Sequence, residues 1–275
     1  MKIALYTRKG SQIDNPKLSY LEQRLRDLND DIFYCSKDDI PSSLEDTDLV
    51  LSLGGDGTFL EAVAFLKDRQ KPIAGINFGK LGFLTTAKID DGDNKWIEDL
   101  AKGSYNIENR LLLQAEGDSL PSNLHPYCLN EFSLLRQKSI MNISVSVDGK
   151  SLPSYWADGL LVATPTGSTA YALSIGGPVI IPSASCLIIC PFAPHNLNIR
   201  PIVVSSDSII DIKFTSNDGT ARMAMDNHSC DINSGSTIRL KKAPYYARYV
   251  SLRDMSFIDA LRDKLMWGED IRNSI

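Results

Sequence analysis

Long apolar runs are missing from this chain. No stretch approaches the roughly 20 consecutive apolar residues that a bilayer-spanning helix needs, and Met1-Lys2 opens straight into the short strand-like run Ile3-Ala4-Leu5-Tyr6, with no secretory core behind it. The expectation is a cytoplasmic protein with no membrane partner. Surplus positive charge is also missing: 29 Lys and Arg stand against 34 Asp and Glu, a net charge of −5. That argues against a nucleic-acid partner bound through its backbone phosphates, although a local basic pocket stays open. Histidine is scarce, three in 275 residues. His125 lies in a proline-containing stretch and His195 beside Pro194, so both read as solvated loop residues and neither suits a metal cluster. The five cysteines (Cys35, Cys128, Cys186, Cys190, Cys230) are odd in number and scattered, and Cys186 and Cys190 lack the spacing and second ligand pair of a zinc site. Buried reduced thiols are expected. Also absent are a Gly-x-x-x-x-Gly-Lys-Ser/Thr loop and a Gly-x-Gly-x-x-Gly fingerprint, so any phosphate must be held another way. There is no internal repeat, charge block or low-complexity linker.

What remains is a chain with 43% hydrophobic and 23% charged residues, ample for real cores and long enough for two domains of ordinary size. Over residues 1–100 strand and helix signals alternate. Asn15-Pro16 supplies a cap and a first-turn proline, and Leu18, Leu21, Leu25 and Leu28 then recur on one helical face. Apolar strands are expected at 32–34, 49–53 and 73–77. Alternation of this kind predicts an α/β domain with a parallel, Rossmann-like sheet whose ligands sit at the carboxyl ends of the strands. From about Ser104 the period changes to two, clearest where Ile143, Val145 and Val147 alternate with Asn142, Ser144 and Ser146. A mostly β domain is therefore expected over 101–252. Further strands are expected at 160–164, 185–189, 209–214, 237–240 and 246–250, with Asp148-Gly149 and Asp218-Gly219 as tight turns between strands. Phe257, Leu261 and Leu265 restore a helical stripe, so residues 253–275 are expected to pack back on the first domain.

The most informative residues are Gly54-Gly55-Asp56-Gly57-Thr58, between the apolar run Leu49–Leu53 and the helix-like Phe59–Leu66. Three glycines in four positions let a backbone approach a bulky anion, and the N–H groups of the helix start favour negative charge. A lone carboxylate in such a turn repels phosphate. It makes sense as a base for a hydroxyl nucleophile or as a link to Mg²⁺, which singles out Asp56 as the catalytic candidate. A plain strand-to-helix connection is the competing reading of these five residues by themselves.

Three further segments bear on the choice. Asn77-Phe78-Gly79-Lys80-Leu81-Gly82-Phe83-Leu84 sets two glycines around a cation and aromatics, which suits a loop under a flat or phosphorylated ligand, or an ordinary glycine-containing exit loop. Asn130-Glu131 offers an amide that donates and accepts beside a carboxylate acceptor, a pairing suited to a base edge and a ribose diol. The run from Asp158 through Gly159-Leu160-Leu161-Val162-Ala163-Thr164-Pro165-Thr166-Gly167-Ser168-Thr169-Ala170-Tyr171-Ala172-Leu173-Ser174 to Ile175-Gly176-Gly177-Pro178 carries no charge after its first residue. Small hydroxyls packed this densely fit the floor of a pocket for a sugar or phosphate; a Ser/Thr-rich helix-capping turn is the alternative.

These four segments, in this order and spacing over about residues 50 to 180, resemble the NAD kinase family. The GGDG turn alone is shared with diacylglycerol kinase, sphingosine kinase and phosphofructokinase relatives; the Asp158 segment narrows the resemblance. It implies an ATP-dependent phosphotransferase that phosphorylates the 2′-hydroxyl on the adenosine ribose of NAD to give NADP, with ATP and Mg²⁺ required. Carried over residue by residue, Asp56 is the proton acceptor. Gly54, Gly55 and Thr58 belong to the phosphate turn, and Gly57 lies against the dinucleotide. Asn130 and Glu131 meet the adenosine part, Asp158 contacts NAD, and Thr169, Ala170, Tyr171 and Ser174 line its pocket. Phe78 sits near the adenine. Met225-Asp226-Asn227-His228 is similar to a family turn that usually reads Asp-Gly-Gln, so His228 replaces the glutamine as a ribose contact. Trp156 stands where the family often has a basic residue. The resemblance also implies a homodimer or homotetramer. Against it stand a lipid kinase, for which no basic amphipathic segment is visible, and a catalytically silent dinucleotide sensor, which would gain nothing from a carboxylate beside phosphate.

Overall fold

The computed structural model describes residues 1–8, 15–28, 31–79, 82–89, 94–122, 124–252 and 257–266. Lys80 and Leu81 of the second motif, and residues 253–256 and 267–275 of the C-terminal segment, lie outside the described residues. The chain divides into two compact units: Met1–Asn109 joined by the residues from Ala247 onward, and Arg110–Tyr246.

In the first unit four strands run parallel: β1 (Lys2–Tyr6), β2 (Asp31–Cys35), β3 (Leu49–Leu53) and β4 (Pro72–Asn77). Their order is β2-β1-β3-β4, in register at Ile3↔Ile32, Ile3↔Leu49 and Val50↔Ile73. Every residue of β3 is buried, as expected for a parallel strand covered on both faces. Helices α1 (Pro16–Asp27), α2 (Asp56–Leu66) and α3 (Lys95–Ala101) complete the unit together with a C-terminal helix, Phe257–Leu265. The Asn15 side chain accepts from the Lys17 N–H at 3.0 Å, and Pro16 opens the helix, so the cap holds as the sequence suggests. Leu18, Leu21 and Leu25 are buried with Ile3, Leu5, Leu49, Leu51, Ala74 and Ile97. β2 lies beyond β1 and β4 beyond β3, so strand order reverses between β1 and β3. Ligands favour that place in such sheets, and the residues just after β3 are Gly54, Gly55 and Asp56.

The second unit is a pair of antiparallel layers. One is a six-stranded sheet in the order Ile202–Ser205, Cys186–Phe192, Gly159–Ala163, Glu131–Arg136, Thr220–Met225 and His228–Asn233. The other pairs Met141–Val147 with Ile210–Ser216 and the latter with the start of Thr237–Ser251. Ile143, Val145, Ile212 and Phe214 meet Phe132, Leu134, Leu160, Val162 and Ile189 in the core. Leu161, Ala163, Ile188 and Cys190 face the other way, onto Ala172 of the short helix Tyr171–Ser174. Burial on both faces is why Gly159–Ala163 reads as an unbroken apolar run instead of alternating.

One expectation differs. The strands expected at 237–240 and 246–250 are one strand, Thr237–Ser251, and Pro244 sits within it at an exposed position, where its missing donor is tolerated. The tight turn expected at Asp218-Gly219 is present, with Gly219 at φ +75°, and it joins strands of different layers. Asp218 caps the N–H groups of Lys138 and Ser139 at 2.8 and 2.5 Å. All five cysteines are free thiols; Cys35, Cys128 and Cys190 are buried, and burial pushes the Cys35 and Cys190 thiols up to about 12 and about 11.

Candidate active site

In the first unit β3 ends at Leu53 and the chain turns through Gly54, whose φ of +152° suits glycine and where a Cβ would meet the Thr58 hydroxyl at 2.5 Å. Gly55 caps α2, its carbonyl accepting from the Thr58 and Phe59 N–H groups at 2.9 and 3.2 Å. Asp56 is thus the first residue of an 11-residue helix, where the dipole favours a carboxylate or a phosphate. Its carboxylate is gripped from the far side by the second motif. Phe83 N–H donates to Oδ2 at 2.7 Å, Leu84 N–H to Oδ1 at 3.1 Å, and the Thr85 hydroxyl stands 3.5 Å from Oδ1. A Cβ on Gly82 would fall 2.0 Å from Oδ1, so only glycine lets this turn wrap the carboxylate so closely. The sequence placed both segments near phosphate; what it did not reveal is that one exists to hold the other. Phe78 is half-buried against the core of this unit, and its carbonyl accepts from Lys17 Nζ at 3.2 Å. Gly57 is exposed, with Arg8 Nη2 3.0 Å from where its Cβ would be, and Arg8 pairs with Glu61 at 2.9 Å.

In the second unit the residues gathered around Asn130 and Glu131 form another cluster. Asp226, in the left-handed region at φ +50°, turns its carboxylate back to accept three main-chain N–H groups: Leu129 at 2.8 Å, Asn130 at 2.9 Å and Glu131 at 3.1 Å. Sequence reading found Asp226 only as part of a turn. With Asn227 it forms the two-residue link of the hairpin that pairs Met225 with His228, and its role as a clamp shows only once residues 129–131 are brought beside it. Gly167 backs onto Asn130 so tightly that a Cβ would lie 2.2 Å from the Asn130 carbonyl oxygen. Burial pushes Glu131 up to about 8, with the Asp226 charge adding to it and the Tyr171 backbone N–H opposing it. Burial also raises Asp226, to about 6, against its three N–H donors. Burial thus favours the neutral form of both carboxyls, and the charge on Asp226 adds to that at Glu131. Glu131 Oε2 is buried without a hydrogen-bond partner in the protein, as is the Thr166 hydroxyl. His228 joins an aromatic group: His125 lies 6.0 Å from it and 5.6 Å from Tyr127, and Tyr127 lies 5.0 Å from Tyr245. His125 lies in a loop, as expected, and is partly exposed beside these rings.

The hydroxyls of the long motif mostly serve the backbone. Thr164 donates to the Leu129 carbonyl at 2.5 Å, Ser168 bridges both backbone groups of Ile180, and Thr169 donates to the Thr166 carbonyl at 3.3 Å. Tyr171 and Ser174 are exposed and Thr169 and Ala170 half-exposed, whereas Ala172 is buried. The Tyr171 ring lies 5.8 Å from that of Phe192, tilted by 52°. Asp158 is not brought to the Asn130 end. It precedes Gly159, whose strand runs antiparallel to Glu131–Arg136 with Ala163 opposite Glu131, roughly 17 Å away along the strand. Both Asp158 oxygens are engaged by Arg136, at 2.6 and 3.3 Å. Trp156 is 49% exposed. Among the described residues no group of three or more His, Cys, Asp or Glu side chains is placed to hold a metal ion, and no helix is long and apolar enough to cross a membrane.

Comparison with known proteins places the chain in a family. Residues 8–105 match the family model described as ATP-NAD kinase N-terminal domain, and residues 129–252 the one described as ATP-NAD kinase C-terminal domain. An NAD kinase of Christiangramia forsetii is 40% identical over 230 residues, 82% of this chain and 78% of that protein. One from Porphyromonas gingivalis is 38% identical over 265 residues, 94% of this chain and 88% of that protein. Among solved structures, an NAD kinase from Archaeoglobus fulgidus in complex with ATP superposes with a TM-score of 0.76 at 27% identity, covering 98% of each chain. A yeast NADH kinase complexed with NADH agrees in fold, with a TM-score of 0.82 at 21% identity over 99% of this chain and 89% of that one. Two matched domains spanning most of the sequence, with relatives at this identity, make the chain a member of the NAD kinase family.

Proposed function

We propose that this protein transfers the γ-phosphoryl group of ATP to the 2′-hydroxyl of the adenosine ribose of NAD, giving NADP and ADP, with Asp56 as the proton acceptor. The observation that carries this reading is the Asp56 carboxylate, fixed at the start of α2 by the Phe83 and Leu84 N–H groups. Each carboxylate oxygen has room for a second hydrogen bond, so a ribose hydroxyl can donate to Oδ2 while the grip stays in place. As the 2′-oxygen forms its bond to the γ-phosphorus, its proton passes to Asp56 and the bond from that phosphorus to the β,γ-bridging oxygen breaks, leaving the electron pair on ADP. The Gly54-Gly55-Asp56-Gly57-Thr58 turn meets phosphate with main-chain N–H groups. Asn130, Glu131 and His228 take the adenosine and its ribose, Glu131 as a protonated acid able to donate. Phe78 lies near the adenine, and Thr169, Ala170, Tyr171 and Ser174 line the dinucleotide pocket. Asp158 adds a contact to NAD through a carboxylate steadied by Arg136. Mg²⁺ accompanies ATP and screens the phosphate charge. A cytoplasmic homo-oligomer fits this reading; Leu197 (89% exposed) and Trp156 offer apolar surface for subunit contact.

The test is NADP formation by purified protein given NAD, ATP and Mg²⁺, read through an NADP-specific dehydrogenase, beside Asp56→Asn. Product that disappears in the variant supports both the reaction and its base. Wild-type turnover in the variant removes Asp56 from the role, and NAD binding without product in either protein points to a silent sensor.

A further inference from the structure

The last turn of the C-terminal helix carries a lysine that behaves unlike an ordinary helix-terminal cation. Phe257–Leu265 buries Leu261, and Lys264, one turn on, leaves the solvent side to donate through Nζ to the Gly82 carbonyl oxygen. The same ammonium stands 5.0 Å from the centre of the Phe83 ring. Exposed Lys side chains usually keep the head group in water; this one is half-buried, and desolvation lowers its pKa although the Asp56 charge nearby opposes the shift. Arg262 on the same helix shows the ordinary alternative, being exposed and paired with Asp259 at 3.2 Å.

The choice of carbonyl is the telling point. Gly82 C=O and Phe83 N–H belong to one peptide group, and that N–H is the 2.7 Å donor to Asp56 Oδ2. A peptide beside glycine flips more readily than most because one flank lacks a Cβ. A flip here would turn an oxygen toward the carboxylate and withdraw the donor. We propose that Lys264 is a positioning residue for the phosphoryl transfer: by holding the Gly82 carbonyl it locks the Gly82–Phe83 peptide with its N–H on Asp56 and so aims the proton acceptor. The bond also polarises the peptide, which strengthens the N–H it presents. The inference rests on Asp56 being that acceptor. Thr85 completes the lock from inside the turn, accepting from Gly82 N–H at 2.7 Å.

The test compares full-length Lys264→Arg, Lys264→Gln and Lys264→Met with wild type, Asp56→Asn and an Arg262→Met control, following kcat, KM for NAD and ATP, and melting midpoint. Lys264→Met is expected to lose roughly 100-fold in kcat, the scale of a displaced catalytic group, with both KM values within about threefold. Lys264→Gln should fall between, Lys264→Arg should recover most of the rate, and Arg262→Met should match wild type. Should Lys264→Met fail to fold, the order wild type, Arg, Gln still decides. A kcat unchanged across the series, or a loss that Arg does not rescue, overturns the inference while leaving Asp56 in place if Asp56→Asn is inactive. An active Asp56→Asn overturns the reading on which it rests.

Discussion

Asp56 in the first unit and Asp226 in the second are both carboxylates held by main-chain N–H groups, and the holds differ in kind. Asp56 takes two donors from a turn that also needs Gly82 and Thr85, and it keeps lone pairs toward a partly exposed helix start. Asp226 takes three consecutive donors from residues 129–131, which leaves its carboxylate little to offer a ligand. One hold aims a reactive group; the other builds the strand entry that presents Asn130 and Glu131. A carboxylate bound to backbone is therefore not by itself a catalytic sign; what the hold leaves free decides.

Four substitutions sharpen that contrast. Asp56→Asn should lower kcat by about 100-fold or more with the melting midpoint nearly unchanged, since the amide oxygen still accepts one of the two N–H groups. Asp226→Ala should do the reverse in kind. It orphans three donors, costs about 3 kcal/mol or more of local stability, and accelerates hydrogen exchange at the Leu129, Asn130 and Glu131 amides. Exchange rates like those of wild type there would remove Asp226 as a clamp. Gly82→Ala puts a methyl group onto the Asp56 carboxylate, and turnover should drop about tenfold through displacement of that group, with NAD affinity retained in a calorimetric titration.

The smallest effect is pH dependence at Glu131. Folding raises this carboxyl from 4.5 to about 8, chiefly by burial. Between those values the unfolded chain releases a proton that the folded chain keeps, so the stability this group contributes is present below about pH 4.5 and lost as pH rises through about 8. Glu131→Gln removes that dependence. The unfolding free energy of the variant relative to wild type should climb with pH by at most about 1.4 kcal/mol per unit in the window; parallel curves would mean that Glu131 is charged in the folded state.

Local periodicity and turn chemistry made much of the molecule readable in advance. Asn15-Pro16 started α1 and its leucines faced the core, the run 49–53 gave β3, and the alternation at 141–147 gave a sandwich strand, because each signal depends on near neighbours along the chain. Reading failed where a distant partner decided the outcome. The runs 237–240 and 246–250 looked like separate strands yet form one, Thr237–Ser251, and the hydroxyls of Thr164 and Ser168 looked like a pocket floor but satisfy main-chain groups. Asp226 showed only as part of a turn and Lys264 not at all, since an Asp-Asn turn and a basic helix end occur in many folds.

By itself the sequence determined the parallel α/β order of the first unit, the β-rich second unit, and the glycine turn that puts Asp56 at a helix start, since period, capping and glycine content act over a few residues. Only the tertiary structure decided which groups hold the functional carboxylates. Phe83 and Leu84 reach Asp56 across 27 and 28 positions, and Leu129, Asn130 and Glu131 reach Asp226 across 97, 96 and 95. Such contacts are main-chain donations whose partners share no motif, so the path of the folded backbone, and not side-chain identity, selects them.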